Sequence, residues 1–209
     1  MEWPLQDLCN ALLSAYKKHN FSSTFTVAIS GIDASGKGTI AGNLQAALSL
    51  SGLKPALIKL DDWQMPKSIS LLKENAAENF YYNSFRWHAL FNQVISPLKK
   101  TGNLQLNYHM VQMDKDEITS ASYDFRDVDI ILLEGIFLFK KEFINQFDFR
   151  VWINCSFDNG LKRALKRNQE CLLAEDLLYD YLTYYYPAQM HHINKDQPVE
   201  QAEFVFNND

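Results

Sequence analysis

The sequence predicts an α/β fold with a parallel sheet covered by helices on both faces. Three observations carry this expectation. Strand-like runs recur as near-continuous apolar segments, the pattern of strands buried on both faces. Helical segments separate most of these runs. The first run passes into a glycine-containing turn and then a helix, reading Gly31-Ile32-Asp33-Ala34-Ser35-Gly36-Lys37-Gly38-Thr39. With 209 residues the chain is long enough for one full core, so a single domain over 1–209 is expected.

Residues 4–19 form a helix, with Leu5, Leu8, Leu12, Leu13 and Tyr16 on one face and Pro4 suited to the first turn. Residues 24–30 are β-branched and apolar and form the first strand, followed by a helix over 37–51 that Gly52 stops. Residues 55–60 are a second strand with Asp61-Asp62 at its end. A short helix near 70–77 and a longer one over 87–100 follow. Residues 104–108 and 119–125 pair as a hairpin inside an insert spanning about 79–125. A strongly apolar strand covers 129–139 and another covers 149–153. Helices over 159–170 and 172–186 precede a last strand at 203–206. The five sheet strands are expected in the order 2-3-1-4-5.

Hydrophobic residues are 47% of the chain and charged residues 22%, ordinary for a soluble globular protein. A net charge of −5 argues against broad nucleic-acid binding, which needs a basic footprint. The N-terminal stretch lacks the apolar core of a signal peptide. No apolar run approaches the roughly 18 residues of a membrane span. Cys9, Cys155 and Cys171 are odd in number and widely spaced, as expected for reduced thiols in a cytoplasmic enzyme.

The segment 31–39 has the mechanics of a phosphate cradle. Gly31 lets the chain leave the strand, and Gly36 leaves room for backbone amides to face phosphate oxygens. The helix beginning at Lys37 adds its positive end, and Lys37 itself supplies a mobile cation. Ala34, Ser35, Gly38 and Thr39 complete the loop. Gly38 stands where Ser or Thr usually follows the lysine and holds Mg²⁺. The metal is then held through water, by another residue, or less directly by Thr39.

Ligands of such sheets bind beyond the carboxyl ends of the strands, where Asp61, Asp62 and Glu134 are expected. A kinase acting on a hydroxyl needs a carboxylate to orient and accept the proton, and others to order Mg²⁺. Asp61-Asp62 suits a turn or cap equally well. Glu134 inside Ile-Leu-Leu-Glu-Gly-Ile-Phe would be buried without compensation unless a cation or metal lies nearby. Arg163 and Arg167, four residues apart, share a helical face and suit a lid over about 158–172. The bland alternative is a solvated helix.

The order Gly-Ile-Asp-Ala-Ser-Gly-Lys-Gly-Thr, Leu-Asp-Asp-Trp, Leu-Glu-Gly-Ile-Phe and Arg163-x-x-x-Arg167 resembles uridine kinase and its relatives, phosphoribulokinase, pantothenate kinase and nicotinamide riboside kinase. The resemblance covers about residues 24–207. It implies a P-loop NTPase three-layer sandwich that uses ATP and Mg²⁺ to phosphorylate a small-molecule hydroxyl, with a nucleoside such as uridine or cytidine as the favoured acceptor. It implies Asp61 as base, Lys37 with Arg163 and Arg167 around the transferring phosphate, and Glu134 and Asp62 near the metal. Trp63 stands where the family usually has Phe. Asn83 falls where an aspartate often contacts the ribose, and Tyr108 resembles an aromatic that packs on the nucleobase. Tyr108-His109-Met110 replaces the Tyr-Asp-Phe of the vertebrate-type insert, so the chain looks closer to divergent bacterial proteins.

Other readings remain. The loop also resembles that of polyphosphate kinases of the second type. The acceptor could be pantothenate, nicotinamide riboside or a sugar, or the fold could serve as a non-catalytic nucleotide sensor. His191-His192 lacks a third metal ligand nearby in sequence and is read as structural. Asp33 suits a substrate contact or a cap on a backbone N–H, and the cap is the favoured reading. The sequence leaves monomer or homo-oligomer undetermined.

Overall fold

The computed structural model describes residues 3–20, 22–70, 75–112, 117–168 and 171–209. Five parallel strands form one sheet: β1 (Phe25–Gly31), β2 (Pro55–Lys59), β5 (Ile130–Glu134), β6 (Phe149–Asn154) and β7 (Phe204–Asn207). They lie side by side as β2-β5-β1-β6-β7. Counted among themselves along the chain, this is the expected order 2-3-1-4-5. β3 (Leu104–Gln112) and β4 (Glu117–Phe125) form a separate antiparallel hairpin, with Tyr108 opposite Ala121.

Each central strand feeds two cores by alternation. Val27, Ile29, Leu132, Val151 and Ile153 face a core shared with α1 (Trp3–Lys18) and α2 (Lys37–Leu50). Ala28, Ile131, Leu133 and Trp152 face the other core. That side is covered by α4 (Ala76–Asn83), α5 (Trp87–Leu90), α6 (Ser96–Thr101), α8 (Ala174–Asp180) and α9 (Tyr186–Asp196), with α3 (Lys67–Ser70) before α4 and α7 (Phe157–Arg167) after β6. Full burial of each such aliphatic side chain is worth about 1.5–3 kcal/mol, so the two cores hold the three layers together. Among the described residues, no helix is long and apolar enough to cross a membrane.

Several boundaries differ from expectation. The strand expected over 129–139 ends at Glu134, and residues 136–139 turn within the core with Phe137 at φ 61°. An apolar run does not distinguish a buried strand from a buried turn. The helix expected over 87–100 carries a π turn at Phe91–Ile95 between α5 and α6. The helix expected to end at Tyr186 continues into α9 through a π turn (Tyr181–Tyr185) just before Pro187, whose ring and missing N–H interrupt regular helical bonding at that point. The helix expected over 159–170 ends as α7 at Arg167, with Asn168 left-handed at its C-cap. Part of the helix expected near 70–77 lies outside the described residues, as do residues 169–170 of the expected lid and 113–116 of the insert.

Candidate active site

β1 delivers the chain to the glycine-containing loop, and α2 leaves from it. Gly36 is the N-cap residue of α2 at φ 94°, a conformation that disfavours any side chain. A Cβ there would also sit 2.5 Å from Asn208 Nδ2. Among the described residues no side chain caps the first turn of α2, and no acidic residue lies in that turn. Its amides therefore keep their donors for an external anion. Lys37 is buried, and its Nζ donates to Ile32 O at 2.8 Å. Ser35 Oγ is buried without a partner among the described residues. Gly31, Ala34, Ser35, Gly36, Lys37, Gly38 and Thr39 thus form one strand-to-helix turn.

Two carboxyls face this loop. Glu134 ends β5, and its Oε1 lies 3.8 Å from where a Gly38 Cβ would stand. Burial first, then the charge of Asp61, pushes its pKa up to about 7, while Lys37 and Lys59 oppose the shift. Asp61 follows β2 in a 3-10 turn spanning Leu60–Trp63. Asp61 is exposed, and Gln64 Nε2 donates to its Oδ1 at 3.3 Å. Loss of solvation, followed by the charge of Asp33, raises its carboxyl pKa, and Lys37 pulls the other way. Asp61 and Glu134 therefore share the field of one lysine.

α7 brings its arginines to the same loop. Arg163 Nη1 lies 3.4 Å from Ser35 O and 3.3 Å from Cys155 Sγ. Arg167 lies 3.9 Å from Asp33 Oδ2. Lys162 and Lys166 are exposed. Asp33 differs from the expected cap: its carboxylate accepts from the Tyr181 hydroxyl, and its own N–H donates to Gln189 Oε1. A carboxylate with a phenol and a guanidinium nearby has stronger partners than an amide of its own loop.

The hairpin side departs further from expectation. Tyr108 is buried, stacked 5.3 Å from Trp63 and 4.6 Å from Tyr123. At 8% exposure and with both rings against it, Tyr108 is packed within the protein rather than presented as an open stacking surface. Asp62 Oδ2 accepts from Tyr108 Oη at 3.0 Å and Tyr123 Oη at 3.2 Å. That oxygen is thereby committed to the hairpin rather than to a metal. Asn83 is exposed, hydrogen-bonds Asn79 at 2.7 Å, and lines an open pocket with Met65, Phe85, Arg86 and Trp87.

Sequence reasoning missed Arg86, Tyr123 and Asn208, which belong to no motif and gain meaning only from contacts across the fold. It also missed Lys140, buried against the Tyr81 ring at 4.1 Å and donating to Tyr81 O at 2.6 Å. Tyr81 and His192 Nδ1 both bond Asp196, joining α4 to α9. His192 is thus structural, as its sequence context suggested.

The residues present suit phosphate: uncapped amides, a lysine without a carboxylate partner among the described residues, and an orphan hydroxyl. Among those residues no three His, Cys, Asp or Glu side chains converge on a metal position. A Mg²⁺ here would need oxygens from phosphate and water, which is how Mg²⁺ usually binds beside nucleotides.

The family model for "Phosphoribulokinase / Uridine kinase family" matches residues 26–171. The chain belongs to this family. Uridine kinases of Ureaplasma parvum serovar 3 and Ureaplasma urealyticum serovar 10 are each 28% identical over 155 residues, covering 71% of this chain and 71% of theirs. A structure described as a possible uridine kinase from Bacillus stearothermophilus has 22% identity and a TM-score of 0.75, covering 97% of both chains. D-glycerate 3-kinase from Cryptococcus neoformans has 14% identity and a TM-score of 0.67, covering 99% of this chain and 96% of its own. These structural likenesses establish the fold. As a member of the family, the protein is a phosphotransferase with a hydroxyl acceptor.

Proposed function

We propose that this family member is an ATP-dependent kinase that phosphorylates the 5′-hydroxyl of a nucleoside such as uridine or cytidine. The observation that carries this reading is Asp61, a carboxyl with a raised pKa coupled to Lys37 at an uncapped phosphate loop. The names of the relatives support the choice of nucleoside.

In this reading the amides of residues 34–39 and Lys37 hold the β- and γ-phosphates. The acceptor oxygen attacks the γ-phosphorus, and the bond to the bridging oxygen breaks, leaving ADP. Asp61 orients the hydroxyl and takes its proton, a task that a raised carboxyl pKa favours. Arg163 and Arg167 neutralise charge that spreads over the transferring group. Mg²⁺, held through phosphate and water with Glu134 and Thr39 alongside, would supply charge neutralisation between the phosphates. Asn83 would offer the acceptor a hydrogen-bonding amide for a diol. Asp62 anchors the hairpin beside the base.

The test is ADP release from Mg·ATP across uridine, cytidine, nicotinamide riboside, pantothenate, glycerate and simple sugars. Release that depends on a pyrimidine nucleoside is expected. Release with another acceptor alone would move the substrate class, and none above background would favour a nucleotide sensor.

A further inference from the structure

We infer that Arg86 is the positioning residue that fastens the Asp61 turn to the acceptor hairpin, so that docking of the hairpin sets the geometry of the base. The inference rests on the kinase reading for its kinetic arm only. Arg86 follows Phe85 in the segment between α4 and α5. Its backbone N–H donates to Trp63 O at 2.8 Å, Met65 N donates to Ser84 O at 2.8 Å, and Gln64 and Phe85 form an isolated antiparallel bridge. The end of α4 and the base turn are therefore already one backbone unit.

The Arg86 side chain adds the hairpin to this unit. One terminal nitrogen, Nη2, donates to Asp62 O at 3.1 Å and to His109 O on β3 at 2.5 Å. The guanidinium lies 5.1 Å from the centre of the Trp63 ring, which itself stacks on Tyr108. Base turn, aromatic stack and hairpin meet on a single planar cation. Burial pulls the guanidinium pKa down from its ordinary value. Two carbonyls and an aromatic face offset that desolvation, as they would for no other side chain of this length. Nε is shielded from solvent with no partner among the described residues.

The hairpin is a separate two-stranded sheet that persists through docking: Leu104, Leu106 and Phe125 pack on the core, and Arg86 ties it to the base turn. A two-stranded ribbon is marginal alone in water, so docking supplies its persistence. Beyond its covalent ends, the contacts described here from the hairpin to the base turn run through Asp62, Trp63 and Arg86. Lysine keeps the charge and most of the stem but cannot lie flat on Trp63 while reaching both carbonyls.

The test uses the full chain with Arg86→Lys and Arg86→Gln, read by amide hydrogen exchange and by kinetics. Faster exchange in β3 and β4 is expected in both variants, with β1 and β5 unchanged. With Mg·ATP and uridine, kcat should fall by about 10-fold to 100-fold, since displacements near 1 Å carry such costs, while KM for ATP stays put. Lysine should not rescue. Unchanged hairpin exchange, or a lysine variant with normal exchange, overturns the inference. A wild-type protein inactive on uridine would contradict the proposed substrate, and the exchange result would still decide the role of Arg86.

Discussion

The two halves of the site are built by different means. The phosphate side comes from one contiguous stretch, residues 31–39, and works largely through backbone amides, a helix end and Lys37. The acceptor side is assembled from residues 61–63, 83–86 and the hairpin, through a stacked Trp63-Tyr108-Tyr123 column and hydrogen bonds to Asp62. The loop supplies its own amides and cation, while Arg163, Gln189 and Asn208 brace its backbone from other elements. A site assembled from distant side chains can change its acceptor while the donor side stays as it is. The comparison therefore predicts that the halves can be damaged separately.

The largest separation should come from Asp61→Asn. Removing a general base costs about 10²–10⁴-fold in turnover. ATP affinity, measured by calorimetry, should not fall by more than about twofold, because the amide removes a group of the phosphates' own sign rather than one of their ligands. Comparable loss of ATP affinity would place Asp61 on the donor side instead.

Glu134 offers a pH-dependent test on the donor side. Its folded-state pKa is near 7, against 4.5 for the ordinary carboxyl. Between these values the folded protein holds a proton that the unfolded chain has released, so stability falls as pH rises. The penalty is absent below the lower value and complete above the higher one. Glu134→Gln removes it, so without nucleotide the variant should be more stable than the parent at pH 8 by up to about 3 kcal/mol. At pH 4 the two should match. Denaturant melts at both pH values check this, and equal stability at pH 8 would remove the burial argument.

Gly36→Ala should weaken the donor side alone. A side chain at φ 94° carries strain of about 1–3 kcal/mol, and Asn208 must release its 2.7 Å bond to Ser35 O to make room. ATP affinity should drop by about 10-fold, with hairpin exchange unaltered. The smallest effect belongs to Tyr123→Phe, which removes one of two hydroxyls from Asp62. About 1 kcal/mol is expected. It should appear in acceptor KM and not in ATP binding.

Legibility in the sequence follows the same division. Gly36, Lys37 and their neighbours were readable because their chemistry depends on spacing along the chain. The sheet was readable because Ile130–Leu133 is apolar on both faces and Phe25–Ile29 is apolar apart from Thr26. Glu134 was readable as an anomaly within such a run. Tyr108 was legible as a hairpin residue, but its stack on Tyr123 depends on strand pairing and its stack on Trp63 on docking, neither of which the sequence shows. Arg86 left no signal, since an isolated arginine acquires its two carbonyls and its aromatic face only after folding. The run 136–139 looked like strand because burial, not periodicity, governs its composition.

The most direct test of the central claim is the identity of the phosphorylated product. The protein, Mg·ATP and uridine would be followed by phosphorus NMR. The account predicts a nucleoside phosphomonoester resonance that grows in step with ADP and is lost in Asp61→Asn. ADP accompanied only by inorganic phosphate, with no phosphomonoester, would contradict it.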